Sequence, residues 1–157
     1  MSVLKTFDKA ALQILKDNAT KFYDGGFADE FAVPSTRSTV SQIGVMVQGL
    51  PAAFKRRDEL LVAGYSHSDV PPLQIGAYFT FYVKKPQAEQ KADLKAIHAQ
   101  VELDYRAGLE RENEAVVSRQ VRLEQENIQH QVERELAAER EAQRLAIETR
   151  IRAELSR

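Results

Sequence analysis

The distribution of proline, glycine and aromatic residues along the chain constrains its fold more than any other feature. All five prolines, six of the seven glycines and eleven of the twelve aromatic residues lie in residues 1–86. The rest of the chain is rich in Glu, Arg, Ala, Gln and Leu, which have high helix propensities. We therefore expect one continuous α-helix over 86–157, about 108 Å long at a rise of 1.5 Å per residue.

Large apolar residues form a thin stripe along this predicted helix. Several of them recur after eleven residues, as Val117 and Ile128 or Val121 and Val132 do. An eleven-residue spacing, or 3.67 residues per turn, predicts nearly straight or slightly right-handed packing, whereas heptads predict a left-handed supercoil. We expect the stripe to contact further copies of the chain, or the helices of a larger protein assembly. The candidate contact residues are Val101, Tyr105, Val117, Val121, Ile128, Val132, Leu136, Ile147 and Ile151.

A solitary, charged helix is the alternative to this association. Oppositely charged residues four apart, such as Glu102 and Arg106, would support it, but each such pair contributes only about 0.2–0.5 kcal/mol. Like-charged pairs such as Glu135 and Glu139 act against it. Charge pairing is therefore a weak source of stability, and the polar segment 124–127 in turn weakens the apolar stripe.

The first 85 residues have the composition of a small globular domain. Residues 7–23 carry apolar side chains at helical spacing, with Thr6 as the predicted cap. A β-branched alternation over 40–48 predicts a strand, and Pro51 begins a predicted helix that ends at Gly64. The sequence does not indicate whether 27–33 form a helix, a strand or a loop. Two strands and two helices form a marginal core, which favours oligomerisation or an appended element.

The clearest local pattern is the alternation over residues 73–84, in which the odd positions are apolar. A helix would spread this apolar set around all its sides, so the pattern predicts one strand whose odd face meets the core. Tyr78 and Tyr82 lie on the other face. We take them as a candidate docking face for a larger structure, with ordinary exposed tyrosines as the simpler interpretation.

Composition excludes several classes of site. The chain has no cysteine, which removes disulfides and thiolate chemistry, and its formal net charge is −1. The N-terminal residues lack the apolar core of a signal peptide, and no stretch reaches the roughly 18 apolar residues of a membrane span. We therefore expect a protein that is cytoplasmic or part of a soluble particle.

No motif predicts catalytic, cofactor-binding or metal-binding residues. Residues 66–69, Ser-His-Ser-Asp, form a local cluster, but sequence neighbours do not easily adopt the geometry of a nucleophilic triad. Gly44 and Gly49 have the spacing of a phosphate loop without its Lys and Ser/Thr. His98 and His130 lie 32 positions apart on one helix, so they cannot share a metal within a chain, and we expect both to be solvated.

Taken together, these patterns predict a small α+β headpiece over 1–85 followed by a long helical stalk over 86–157. The expected role is non-enzymatic: the stalk associates and the headpiece attaches to a larger complex, such as a virion or a secretion assembly. The alternative is a nucleic-acid-binding accessory factor dimerised by the stalk, in which Lys55, Arg56 and Arg57 contact phosphate. Ten basic and eight acidic residues in 1–87 leave an excess of only +2, which disfavours this alternative.

Overall fold

The structure is a computed structural model that describes residues 3–155. It is mainly helical, with a small α/β region followed by one long helix, as the sequence predicts. The helices are α1 (Lys9–Gly25), α2 (Pro34–Arg37), α3 (Leu50–Val62) and α4 (Gln87–Leu155). The strands are β1 (Phe27–Asp29), β2 (Gln42–Gln48), β3 (Ser66–His67), β4 (Leu73–Ile75) and β5 (Tyr78–Lys84).

The five strands form one sheet in the order β1-β2-β5-β3, with β4 also paired to β5. Strand β2 runs antiparallel to β5 over seven residues, from Gln42 opposite Lys84 to Gln48 opposite Tyr78. Strand β1 is parallel to β2, and β3 and β4 both pair antiparallel with β5. The two long strands therefore form the centre of the sheet.

The core lies on one face of these central strands. Ile43, Val45 and Val83 are buried, and Leu60 of α3 and Phe81 pack against them. This confirms that the odd residues of β5 face the core. Leu73 and Ile75 depart from the prediction, because they are half or more exposed.

The predicted strand over 73–84 is divided by a tight turn. Gly76 has a φ of 59°, a left-handed conformation that glycine adopts without steric cost, and Ile75 pairs directly with Tyr78. Two residues thus connect β4 to β5 as a hairpin. The apolar alternation continues through the turn, which is why the pattern alone indicates a single strand.

Two other local expectations differ from the structure. Helix α1 begins at Lys9, because the Asp8 side chain accepts a hydrogen bond of 2.8 Å from the backbone N–H of Ala10, so Asp8 and not Thr6 is the cap. The unassigned segment 27–33 contains β1, and Ser66–His67, for which no strand was predicted, form β3. The domain therefore has five strands, where two were expected.

Contacts divide the chain into two compact units. The first, Phe7–Gly108, holds the sheet, α1 to α3 and the beginning of α4. The second combines the described residues of 1–6 with those of 109–157. In the second unit, the Lys5 backbone N–H donates to Asn113 Oδ1 at 2.8 Å, and Asn113 Nδ2 donates to the Lys5 carbonyl at 2.9 Å.

Candidate interaction surfaces

Seven of the predicted contact residues form an apolar stripe on α4 within the second unit. Each is 46–53% exposed, although Val, Ile and Leu are usually buried in folded proteins. None of the described residues after position 116 is buried or half-buried. The apolar stripe consists of Val117, Val121, Ile128, Val132, Leu136, Ile147 and Ile151. Leu123 and Leu145 are also exposed, but they lie outside it.

The two remaining predicted contact residues lie in the first unit and are partly buried. The Tyr105 ring packs edge-on against Phe7 with centroids 5.6 Å apart, and its hydroxyl accepts a 3.2 Å hydrogen bond from the Asp8 backbone. The Arg106 guanidinium lies 4.5 Å from the centre of the Phe7 ring. Tyr105 therefore has apolar and polar partners within its own chain, and Val101 is less exposed than the apolar stripe.

A row of polar contacts joins α1 to the first part of α4. Lys16 Nζ lies 2.9 Å from Glu102 Oε2, and Thr20 Oγ1 lies 2.8 Å from His98 Nε2. Hydrogen bonds from Arg106 and Lys16 lower the pKa of the Glu102 carboxyl. His98 is half-buried against Thr20, which corrects the expectation that it is solvated. His130 is exposed, as expected.

The most buried polar cluster brings together Tyr23, Lys85 and Asp93. Lys85 Nζ donates to Asp93 Oδ2 at 2.6 Å and also to the Arg37 carbonyl, and the Tyr23 hydroxyl donates to the same Asp93 oxygen at 2.9 Å. Burial, with the Asp93 carboxylate, raises the pKa of Tyr23. Sequence reasoning missed this cluster because Tyr23 and Asp93 are 70 residues apart and match no motif.

The two tyrosines of β5 lie on the sheet face opposite the core, with different surroundings. The Tyr82 ring packs edge-on against Phe27 with centroids 5.1 Å apart and lies over Gly44, where an added Cβ would be 3.1 Å from it. Tyr78 is 48% exposed, and Met46 of β2 is also exposed. We name these residues, Phe27, Met46, Tyr78 and Tyr82, the open sheet face.

Two of the three basic residues of α3, Arg56 and Arg57, pair with acidic side chains. Arg56 pairs with Glu30 at 3.1 Å and with Glu59 at 3.4 Å, and its hydrogen bond to Glu30 raises its pKa. Arg57 pairs with Asp58 at 3.2 Å. Both guanidinium groups are thus partly neutralised by carboxylates, and this reduces the local attraction for phosphate.

The Ser-His-Ser-Asp segment uses its polar groups in local structure. Ser68 donates a hydrogen bond to Gln42 Oε1, and Asp69 pairs with Lys84 at 2.8 Å, which lowers the pKa of the Asp69 carboxyl. An apolar cleft of about 440 Å³ between α3 and the β4–β5 hairpin includes His67 in its wall. Among residues 3–155, no group of three or more His, Asp or Glu side chains is placed to hold a metal ion.

Comparison with known proteins identifies no relative of this chain. No protein-family model, no curated protein and no solved structure matches the chain. Within the described range, none of the helices is long and apolar enough to cross a membrane. The interpretation of the surfaces therefore rests on the exposure, charge and contacts of their residues.

Proposed function

We propose that this chain is a non-enzymatic assembly protein. It associates through the apolar stripe of α4, and it attaches to a larger particle through the open sheet face. The observation that carries the proposal is the exposure of seven aliphatic side chains in one row, from Val117 to Ile151, on a continuous helix. Burial of such side chains against another helix removes apolar surface from water, which drives association.

The charged residues of the same helix do not account for its stability as a solitary element. Its ion pairs beyond residue 109, such as Arg152 with Glu148 at 2.8 Å, are exposed, and each such pair contributes about 0.3–0.5 kcal/mol. Most of the stability of helices in proteins comes from packing of an apolar face against another element. Association along the apolar stripe supplies that packing.

The open sheet face supports the second part of the proposal. Two of its exposed members, Met46 and Tyr78, stand on the paired central strands, so the sheet holds their side chains in fixed positions. Tyrosine and methionine are enriched in protein interfaces, where an aromatic ring gives a large contact area for little conformational entropy. A rigid apolar surface of this kind suits attachment to a larger protein structure.

Sedimentation equilibrium tests the association. The wild-type chain is expected to form a defined oligomer, and the V121D/I128D variant is expected to be monomeric because association would bury two unpaired carboxylates. The matched control is N127D/H130D, which also adds two aspartates to this part of α4 but away from the apolar stripe. It should retain the wild-type mass. A monomeric wild-type protein, or an unchanged mass for V121D/I128D, contradicts the proposal.

The attachment is tested in extracts of the source cells. Tagged wild-type chain should elute from a sizing column within a larger complex, whereas M46S/Y78S should elute as the free oligomer with its fold intact. The control F22S removes an aromatic ring that is 81% exposed on α1 and should behave as wild type. Equal elution of all three proteins contradicts a docking role for the open sheet face.

A further inference from the structure

Between positions 122 and 144, most charged residues beside the apolar stripe are sorted by sign, whereas Arg150, near the end of the stripe, lies on the same side as the glutamates. In an eleven-residue repeat, successive side chains are about 98° apart around the helix axis. Measured from a centre line through Val121 and Val132, three glutamates then lie about 30–65° to one side, and three arginines lie about 65–100° to the other. The acidic flank consists of Glu124, Glu135 and Glu139, and the basic flank consists of Arg122, Arg140 and Arg144.

Two acidic residues between positions 122 and 144, Glu126 and Glu133, lie on the side of the basic flank, about 100–130° from the centre line. Glu126 Oε1 is 3.7 Å from Arg122 Nε within α4. The Glu133 carboxylate is 3.6 Å from His130 Nδ1, on the side of α4 away from the apolar stripe. The six residues that define the two flanks keep the separation of charge.

These flanking charges are available to a second helix. Glu124 and Arg140 make no hydrogen bond or ion pair with any residue in the described part of the chain. The Glu135 carboxylate accepts a 3.0 Å hydrogen bond from Gln131, and Arg144 pairs with Glu141 at 3.0 Å, both within α4. All these side chains are exposed, and exposed local pairs are weak enough to exchange for contacts across an interface.

A parallel arrangement brings opposite charges together. When two copies of α4 lie side by side, in register and in the same direction, the acidic flank of each copy faces the basic flank of the other. Glu135 then lies five residues, or about 7.5 Å of rise, from Arg140 of the second copy, and Glu139 lies equally far from Arg144 of the second copy. Long side chains span this distance, as they do between the flanking positions of coiled coils.

An antiparallel arrangement brings like charges together, because each flank then faces the same flank of the other copy. The apolar stripes align best when Val117 lies opposite Ile147. In that register, Arg122 falls between Arg140 and Arg144 of the second copy, and Glu124 falls opposite Glu139. Like charges across an interface are unfavourable and select against the arrangement that contains them.

We propose that the occupant of the apolar stripe is a second copy of this chain whose α4 helix runs parallel and in register. This inference rests on the proposed function and adds to it the identity of the partner and the direction of its helix. The complementary flanks specify the orientation, while the apolar stripe drives the association. A parallel arrangement also places identical first units at the same end of the paired helices.

Disulfide trapping tests the orientation, because the natural chain contains no cysteine that would interfere. The single variants V121C and Q143C place a thiol near the centre line at two different heights. In a parallel, in-register pair each position faces itself, so each variant should form a covalent dimer alone. A mixture of the two should give no dimer that joins Cys at 121 to Cys at 143. The control H130C, on the opposite side of α4, should stay uncrosslinked.

The other outcomes separate the two proposals. An oligomer in which only the mixture crosslinks, joining position 121 to position 143, overturns the parallel orientation but leaves self-association intact. If the protein is oligomeric but neither variant crosslinks, the apolar stripes of the two copies do not pair in register, and the inference is wrong. Sedimentation equilibrium of the reduced variants is measured alongside, and a monomer at every concentration overturns self-association and this inference with it.

Discussion

Lys85 and Asp93 form a buried ion pair in which Nζ and Oδ2 are 2.6 Å apart. Lys85 follows the last residue of β5 and Asp93 lies in the second turn of α4, so this pair joins the end of the sheet to the beginning of α4. The Lys85 side chain is 1% exposed and lies over the Tyr23 ring at 5.7 Å. The connection between the sheet and α4 therefore depends on an electrostatic contact within the core.

We predict that D93N strongly destabilises the protein. The substitution leaves the buried Lys85 ammonium group without its close counter-charge, and removal of one partner from a buried pair costs about 3–5 kcal/mol. Urea unfolding at neutral pH measures the loss. The matched control is E89Q, because Glu89 is 3.8 Å from the same ammonium group but 47% exposed, and its loss should cost less than about 1 kcal/mol. Equal losses for the two variants would contradict this prediction.

A second prediction concerns alkaline pH. Burial raises the pKa of Tyr23 above its ordinary value, so the native state keeps this proton to a higher pH than the unfolded chain, in which tyrosine titrates near pH 10. The contribution of Tyr23 to stability is therefore complete below about pH 10 and decreases as the pH rises above it. The Y23F variant should lose stability less steeply above pH 10 than the wild type does.

The same variant should be less stable at pH 7, by about 1.5–3 kcal/mol, because it lacks a hydrogen bond to a charged carboxylate. Urea unfolding between pH 7 and pH 11 measures both effects, and Y78F is the control because Tyr78 is exposed. A Y23F curve parallel to the wild-type curve above pH 10 would refute the assignment.

Two glycine-to-alanine variants should have opposite effects on stability. An added Cβ at Gly26 would lie 2.7 Å from Val40 Cγ1 and 3.0 Å from the Phe22 carbonyl oxygen, so G26A should destabilise the fold by about 1–3 kcal/mol. A Cβ at Gly108 meets no atom within 4 Å, and alanine is the better helix former by about 0.8–1.0 kcal/mol. Thermal unfolding should therefore give a lower midpoint for G26A and a higher midpoint for G108A. If both variants shifted the midpoint in the same direction, the space around each Cβ would not determine the effect of the substitution on stability.

Charge reversal on the flanks gives a prediction about pairing. In a parallel assembly, E135K/E139K places lysines against arginines, and R140E/R144E places glutamates against glutamates, so each variant should associate more weakly than wild type. Four affected pairs at about 0.3–0.5 kcal/mol each correspond to roughly a tenfold change in Kd. An equimolar mixture should recover the affinity, because its flanks are again complementary. Sedimentation equilibrium detects both effects, and tighter association of either variant alone would indicate antiparallel helices.

The long helix was predictable because its causes are local. Helix propensity and the absence of proline act within a few residues, and they place α4 within two residues of the predicted ends. The odd face of β5 was predictable for a similar reason, since strand alternation reports directly on burial. The turn at Gly76 was not, because a two-residue connection between Ile75 and Tyr78 does not interrupt the alternation.

The polar clusters of the first unit could not be derived from the sequence. Thr20 meets His98 across 78 positions and Tyr23 meets Asp93 across 70, so these contacts depend on how α1 packs against α4. Composition identifies Lys85 only as one of two adjacent lysines before Pro86. Its burial follows from the tertiary arrangement, which places a carboxylate, a carbonyl and an aromatic ring around one ammonium group.

The reciprocal hydrogen bonds between Lys5 and Asn113 have a consequence for the order in which the chain acquires its structure. They join residues separated by 108 positions, so the contact cannot form until synthesis has passed Asn113. The whole of Phe7–Gly108 has been made by then, and its own contacts are free to form first. During translation, the contact between Lys5 and Asn113 therefore forms only after all of Phe7–Gly108 has been synthesised.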